Sequence, residues 1–115
     1  MAMRFVIALA SLLTALAATG CTDACRSYCD KSNACTSGFP DSCDGLCVQE
    51  EDDASHTGCQ SQYSGYASCR NNAPDVCTDH PQTRCSVEVT ALEQCVNAYC
   101  AAHPSETALC SRPLP

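Results

Sequence analysis

Thirteen cysteines in 115 residues are the side chains here whose density demands a chemical explanation. A thiol serves as nucleophile, metal ligand, lipid acceptor or half of a disulfide, and spacing separates these roles. No Cys-x2-Cys occurs anywhere, so neither the dithiol redox pair nor the common zinc knuckle has its motif. Gly-x-Ser-x-Gly, a glycine-rich phosphate loop and a plausible carboxylate pair are also missing, and no catalytic residue is assigned. The chain is therefore read as a non-enzyme. His56, His80 and His103 stand one per connecting segment, and His56-x2-Cys59 would open a metal site only if Cys59 kept a free thiol. In an oxidising compartment that sulfur belongs in a disulfide, so neither a metal nor a cofactor is expected. The acidic run Val48 to Asp53 lacks the alternating ligands and turn glycine of a calcium loop, and reads as a solvated linker or helix end.

The first cysteine differs from the other twelve in what precedes it. Met1-Ala2-Met3-Arg4 leads into an apolar run from Phe5 to Ala18, followed by Thr19-Gly20-Cys21. A positive start, a short apolar stretch and small residues make residues 1–20 a secretory leader. The run falls short of the roughly 18 to 20 residues that span a bilayer core. Ala18-Thr19-Gly20-Cys21 resembles the lipobox of bacterial lipoproteins, with Ala18 where leucine is usual. The resemblance implies a lipidated Cys21, a 21–24 tether, and the lipid bilayer as one partner. It also explains an odd cysteine count in an exported protein, since lipidation of one leaves twelve to pair.

Beyond Gly20 large apolar side chains are scarce, with no Ile or Met and few Leu, Val and Phe. Such a composition does not fold by burial alone. Cysteines at this density in a short exported chain mark a disulfide scaffold, each bridge contributing roughly 2 to 4 kcal/mol. Thirteen acidic residues against six basic ones leave no basic patch, which argues against nucleic acid as a partner.

These cysteines need helices to position them. Cys25, Cys29, Cys43 and Cys47 form two Cys-x3-Cys pairs, and residues four apart share one helix face. Two antiparallel helices over about 25–47 would be laced twice, Cys25 to Cys47 and Cys29 to Cys43. Asp23 is a candidate N-cap for the first, Asp41 or Ser42 for the second, with a turn at Ser37-Gly38-Phe39-Pro40 between them. Cys59, Tyr63, Tyr66 and Cys69 then repeat as Cys85, Val89, Leu92 and Cys95, at i, i+4, i+7 and i+10. An antiparallel hairpin over about 59–102 sets Cys59 against Cys95 and Cys69 against Cys85, with the tyrosines facing Val89 and Leu92. Its second helix ends before His103-Pro104. Cys35, Cys77, Cys100 and Cys110 remain, and four cysteines allow three pairings. The 103–115 tail is tied down if Cys110 is bridged and frayed otherwise. Tyr63 and Tyr66 are candidate core, whereas Tyr28, Tyr99 and Phe39 are candidates for an exposed recognition patch.

The first hairpin resembles the twin Cys-x3-Cys hairpin, and the second the twin Cys-x9-Cys hairpin of coiled-coil-helix-coiled-coil-helix proteins, in spacing alone. As a whole the chain resembles the short cysteine-rich lipoproteins of Gram-negative soil bacteria. The expectation is an all-α cysteine-rich helical module over 25–115, made of small disulfide-rich hairpins. It would serve as a non-catalytic interaction or structural module, lipid-anchored on the bacterial cell envelope. Thr22, rather than Asp, after the lipidated cysteine points to the outer membrane, by resemblance to the sorting signals of some bacteria. An unknown protein partner completes this reading. The alternative is a soluble secreted effector or inhibitor without lipidation, and behind it a metal-binding or thiol-redox protein.

Overall fold

The computed structural model describes residues 19–35 and 42–115, with side chains from Asp23 onward among the first of these. The bulk of the leader and the turn containing Phe39 lie outside the described residues. Six helices and no strand occur among those described: α1 (Thr19–Cys35), α2 (Cys43–His56), α3 (Gln60–Asn71), α4 (Pro81–Arg84), α5 (Ser86–Ala102) and α6 (Thr107–Cys110). The protein is all-α and disulfide-rich.

Helix α1 begins before Asp23, which lies inside it instead of capping it. Thr22-Asp23-Ala24 contains no breaker, and extending a formed helix by a turn is far easier than nucleating one. Cys25, Cys29 and Ser32 are its buried residues, spaced four and three apart on one face. Ser42, not Asp41, caps α2, its Oγ accepting from the Gly45 N–H at 3.1 Å. Helix α2 then runs through the whole acidic stretch, so Val48 to Asp53 belongs to the middle and second half of a helix and is not a linker. Carboxylates in the second half of a helix oppose its dipole. Two of them are answered by arginines: Glu50 by Arg70, and Asp53 by Arg112 at 2.8 Å.

The α2–α3 corner is built by Gly58 (φ 71°), the one described residue in the left-handed region. Its N–H donates to the Ser55 carbonyl at 3.2 Å, and the Cys59 N–H donates to the Ala54 carbonyl at 2.8 Å. That pair of bonds closes a helix end with a left-handed residue just past its cap. The chain reverses within three residues and delivers Cys59 at the head of α3.

The repeated cysteine template survives as repeated geometry. Cys59 and Cys85 each stand immediately before a helix, with nearly the same backbone angles, φ −101°, ψ 22° and φ −106°, ψ 33°. Helices α3 and α5 pair as the second hairpin, with the short Pro81-initiated α4 inserted in their connection. The two hairpins are not separate units. Helix α3 packs against α1, α2, α4 and α5, so it is a shared wall. Tyr63, Tyr66, Ala67 and Leu92 form the centre of the core, with Cys59 and Cys85 buried among them and Val89 against its edge. Of the seven largest side chains that are fully buried, five are half-cystines, the other two being Tyr63 and Tyr66. Covalent bonds stand where aliphatic packing would otherwise be.

A side chain at residue 58 would meet no neighbour within 4 Å, so only the backbone angle resists substitution there. Gly58→Ala should destabilise the oxidised protein by about 1 to 2 kcal/mol. Denaturant unfolding of both proteins without reductant checks this, and an unchanged midpoint would show the corner to be unstrained.

Candidate functional site

The helices bring the twelve cysteines from Cys25 to Cys110 into six bridges. Cys25 joins Cys47 and Cys29 joins Cys43, each with Cα atoms 5.7 Å apart, lacing α1 to α2. Cys59 joins Cys95 at 5.9 Å and Cys69 joins Cys85 at 6.0 Å, lacing α3 to α5. All four are the pairs that the i+4 and i+10 spacings lay opposite each other. The open choice among the last four resolves as Cys35 to Cys77, tying the end of α1 to the loop before α4, and Cys100 to Cys110, tying the tail to α5. The tail is held further by Arg112 on Asp53 and by Leu114 packed on the core. Cys69, Cys85 and Glu88 gather their ligand atoms within 4.8 Å, yet both sulfurs share one disulfide and offer no thiolate to a metal.

Where the hairpins meet, the interior turns polar. Arg70, on α3, is 4% exposed. Its guanidinium lies 4.9 Å from the ring centroid of Tyr28 and 4.9 Å from that of Tyr66. Cations are held well by aromatic faces when water is excluded. Its Nη2 donates to Glu50 Oε2 at 2.5 Å and points at Cys25 Sγ at 3.2 Å. The Tyr63 hydroxyl donates to the same Glu50 oxygen at 2.7 Å, and the Tyr66 hydroxyl donates to the Pro115 carbonyl at 2.6 Å. Burial opposes charge on Arg70, but the Glu50 carboxylate outweighs it and holds the guanidinium above its ordinary value. Burial likewise pushes the Tyr66 phenol up, with Arg70 pulling the other way. Groups so held keep one protonation state near neutrality. The cluster ties α1, α2 and α3 together through one guanidinium.

Tyr63 and Tyr66 occupy the core positions their stripe assigns, whereas Tyr28 is half-buried against Arg70 instead of forming an exposed patch. Neither Glu50 nor Arg70 is singled out by the sequence. Arg70 is only the residue after Cys69, and Glu50 lies inside an acidic run. The available signal was positional: Glu50 is three residues past Cys47 and therefore near the same helix face.

A second cluster joins the end of α2, helix α5 and the connection between α5 and α6. His56 Nε2 lies 3.0 Å from Glu106 Oε2, and the Tyr99 hydroxyl donates to Glu106 at 2.9 Å. The rings of Tyr99 and His103 stack with centroids 4.0 Å apart, and His103 Nδ1 is 2.9 Å from the Tyr99 carbonyl oxygen. Tyr99 is thus engaged with its own neighbours, and the two histidines share its ring instead of standing apart. The Tyr99 hydrogen bond, with His56 beside it, holds the Glu106 carboxyl below its usual value of 4.5. Desolvation and the Glu106 carboxylate hold the Tyr99 phenol above 10.0.

Compared with protein-family models, with curated proteins and with solved structures, the chain finds no match.

Two outcomes are expected from these clusters. Arg70→Ala strands Glu50 in the interior and should lower stability by about 3 to 5 kcal/mol, whereas replacing both partners by Met and Leu should cost much less. Denaturant unfolding of the single and double variants distinguishes a needed pair from a passive one. For Glu106 the folded value is depressed, so its contribution is complete above about pH 4.5 and is lost as pH falls through the lower folded value. Glu106→Gln should therefore flatten the stability profile on its acid side, read as unfolding midpoints between neutral and acid pH.

Proposed function

We propose that the protein is a lipid-anchored, non-catalytic interaction or structural module of the bacterial cell envelope, held in shape by cystines. One observation carries the reading. Six bridges use the twelve cysteines from Cys25 to Cys110. Of thirteen, the one left over is Cys21, directly behind Ala18-Thr19-Gly20. An anchor consumes that thiol, where a soluble exported protein would keep an unexplained one.

The rest of the chain suits the same role. Helix α1 spans Thr19–Cys35, so residues 21 to 24 are helical and join the anchor to the module without a loose tether. Cleavage before Cys21 would put a new amine at the start of a helix, where positive charge is unfavourable; acylation of that amine removes the charge. Two or more acyl chains hold a protein on a bilayer far more firmly than one. The acidic composition suits an extracytoplasmic surface that avoids nucleic acid, and the outer membrane is the membrane favoured.

The intact mass of protein extracted from its native envelope tests this. The expected mass begins at Cys21, exceeds the unmodified chain by the glyceryl and acyl groups, and gains twelve hydrogens on reduction. A clickable fatty acid should label the wild type and leave Cys21→Ser unlabelled. A mass matching an unmodified chain, or equal labelling of both proteins, would overturn the anchor.

A further inference from the structure

We infer that the protein matures through a disulfide isomerisation centred on Cys35 and Cys77, and so is a substrate for a thiol–disulfide isomerase. Of the six bridges, only Cys100 to Cys110 joins two cysteines that follow each other along the chain. The others skip at least one. Cys35 lies inside the loop closed by Cys29 and Cys43, Cys77 lies inside the loop closed by Cys69 and Cys85, and these two then join each other. Without them each hairpin would be a simple nested pair of bridges.

Loop closure favours the wrong partners. Cys35 is 42 residues from Cys77 but eight from Cys43. The chance of closure falls as about the 3/2 power of loop length, so an unfolded chain joins Cys35 to Cys43 about tenfold more often than to Cys77. Cys77 has the same difficulty, with Cys69 and Cys85 eight residues away on either side. Helix period guides the hairpin cysteines to their partners, but Cys35 ends α1 and Cys77 stands in the loop before α4, where no period acts. What brings these two together is α1 lying on α3, where Lys31 Nζ, one turn before Cys35, donates to the Asn71 carbonyl at 3.0 Å. That packing needs both hairpins, so the correct partner arrives last. Burial then gives the correction its direction. Each of the four hairpin bridges has at least one buried half, whereas Cys77 is exposed and Cys35 half-buried. Native hairpin bridges are thereby shielded from an attacking thiolate, while a bridge at Cys35 or Cys77 stays within reach.

Making six bridges removes twelve electrons and twelve protons from twelve thiols, and a disulfide oxidant takes them up. The isomerisation that follows is redox-neutral. In a chain trapped as Cys35 to Cys43 and Cys29 to Cys77, the isomerase thiolate attacks the Cys35 sulfur, forms a mixed disulfide with it and releases the Cys43 thiolate. Cys43 attacks Cys29, which makes the native bridge and releases the Cys77 thiolate. Cys77 attacks Cys35 in the mixed disulfide, which makes the last native bridge and returns the isomerase thiolate.

This inference does not depend on the anchor. The experiment uses the full chain with Cys21→Ser, so that no thirteenth thiol shuffles the others, reduced and unfolded in denaturant and then diluted into detergent. Diamide, which consumes thiols and leaves none to exchange, is compared with reduced and oxidised glutathione plus protein disulfide isomerase. Bridges are mapped by peptide mass. Diamide alone should leave about a tenth of the chains or fewer with all six native pairs, the trapped bridges falling on Cys35 or Cys77, and the isomerase should convert most of them. Adding Cys35→Ser and Cys77→Ser should let the five remaining bridges form under diamide, with less than about a twofold gain from the isomerase. Native pairing under diamide alone, trapped bridges that avoid Cys35 and Cys77, or an equal need for isomerase in the double variant would each overturn the inference. Should the double variant misfold, the positions of the parent chain's trapped bridges decide the matter alone.

Discussion

Arg70 can sit in the interior with Glu50 only because the helices around them cannot separate. A buried ion pair repays its desolvation when geometry is tight and the remaining valences are filled. Here α1 brings Tyr28, α2 brings Glu50, and α3 brings Tyr63, Tyr66 and Arg70 itself. Two bridges fix α1 on α2, one on each side of the Tyr28 turn. Without them the chain would have to close a polar cavity using few aliphatic contacts, and solvating Arg70 in an opened structure would be the easier course. Covalent lacing and the buried pair thus depend on each other. The bridges replace a hydrophobic core, and the pair gives the laced helices one preferred seating.

The parts of this structure legible in the sequence were those governed by period. Cysteines at i+4 and i+10 declare helix faces, and two equal stripes declare an antiparallel partner, so four bridges and the two hairpins followed from spacing. Bridges made in loops carry no period. Cys35 and Cys77 are 42 residues apart, and what joins them is the packing of α1 on α3, a contact between hairpins that neither stripe announces. The same blindness hid the Arg70 cluster. Glu50 looks like one of four consecutive carboxylates, and what distinguishes it is a neighbour supplied by a different helix. Helix boundaries were misjudged where a plausible cap lay inside a longer helix, as at Asp23.

The tail shows how a segment poor in secondary structure is held. Cys110 closes a ten-residue loop on Cys100, Glu106 inside that loop meets Tyr99 and His56, and Arg112 reaches Asp53. Pro115 finally takes the Tyr66 hydroxyl bond, 49 residues away in sequence. Each contact is modest alone and several are exposed. Their effect is to make the tail part of the wall around α2 and α3.

Helix α1 has a mechanical consequence. It runs unbroken from before Cys21 to Cys35, and it enters the laced region at Cys25. At a rise of about 1.5 Å per residue, the first cross-link stands about 6 Å along the axis from Cys21 and the helix ends about 21 Å away. A module held at Cys21 would turn with its anchor as a lever, instead of drifting on a leash. Its reach would be little more than the length of one helix, so whatever it meets must itself come close to the bilayer.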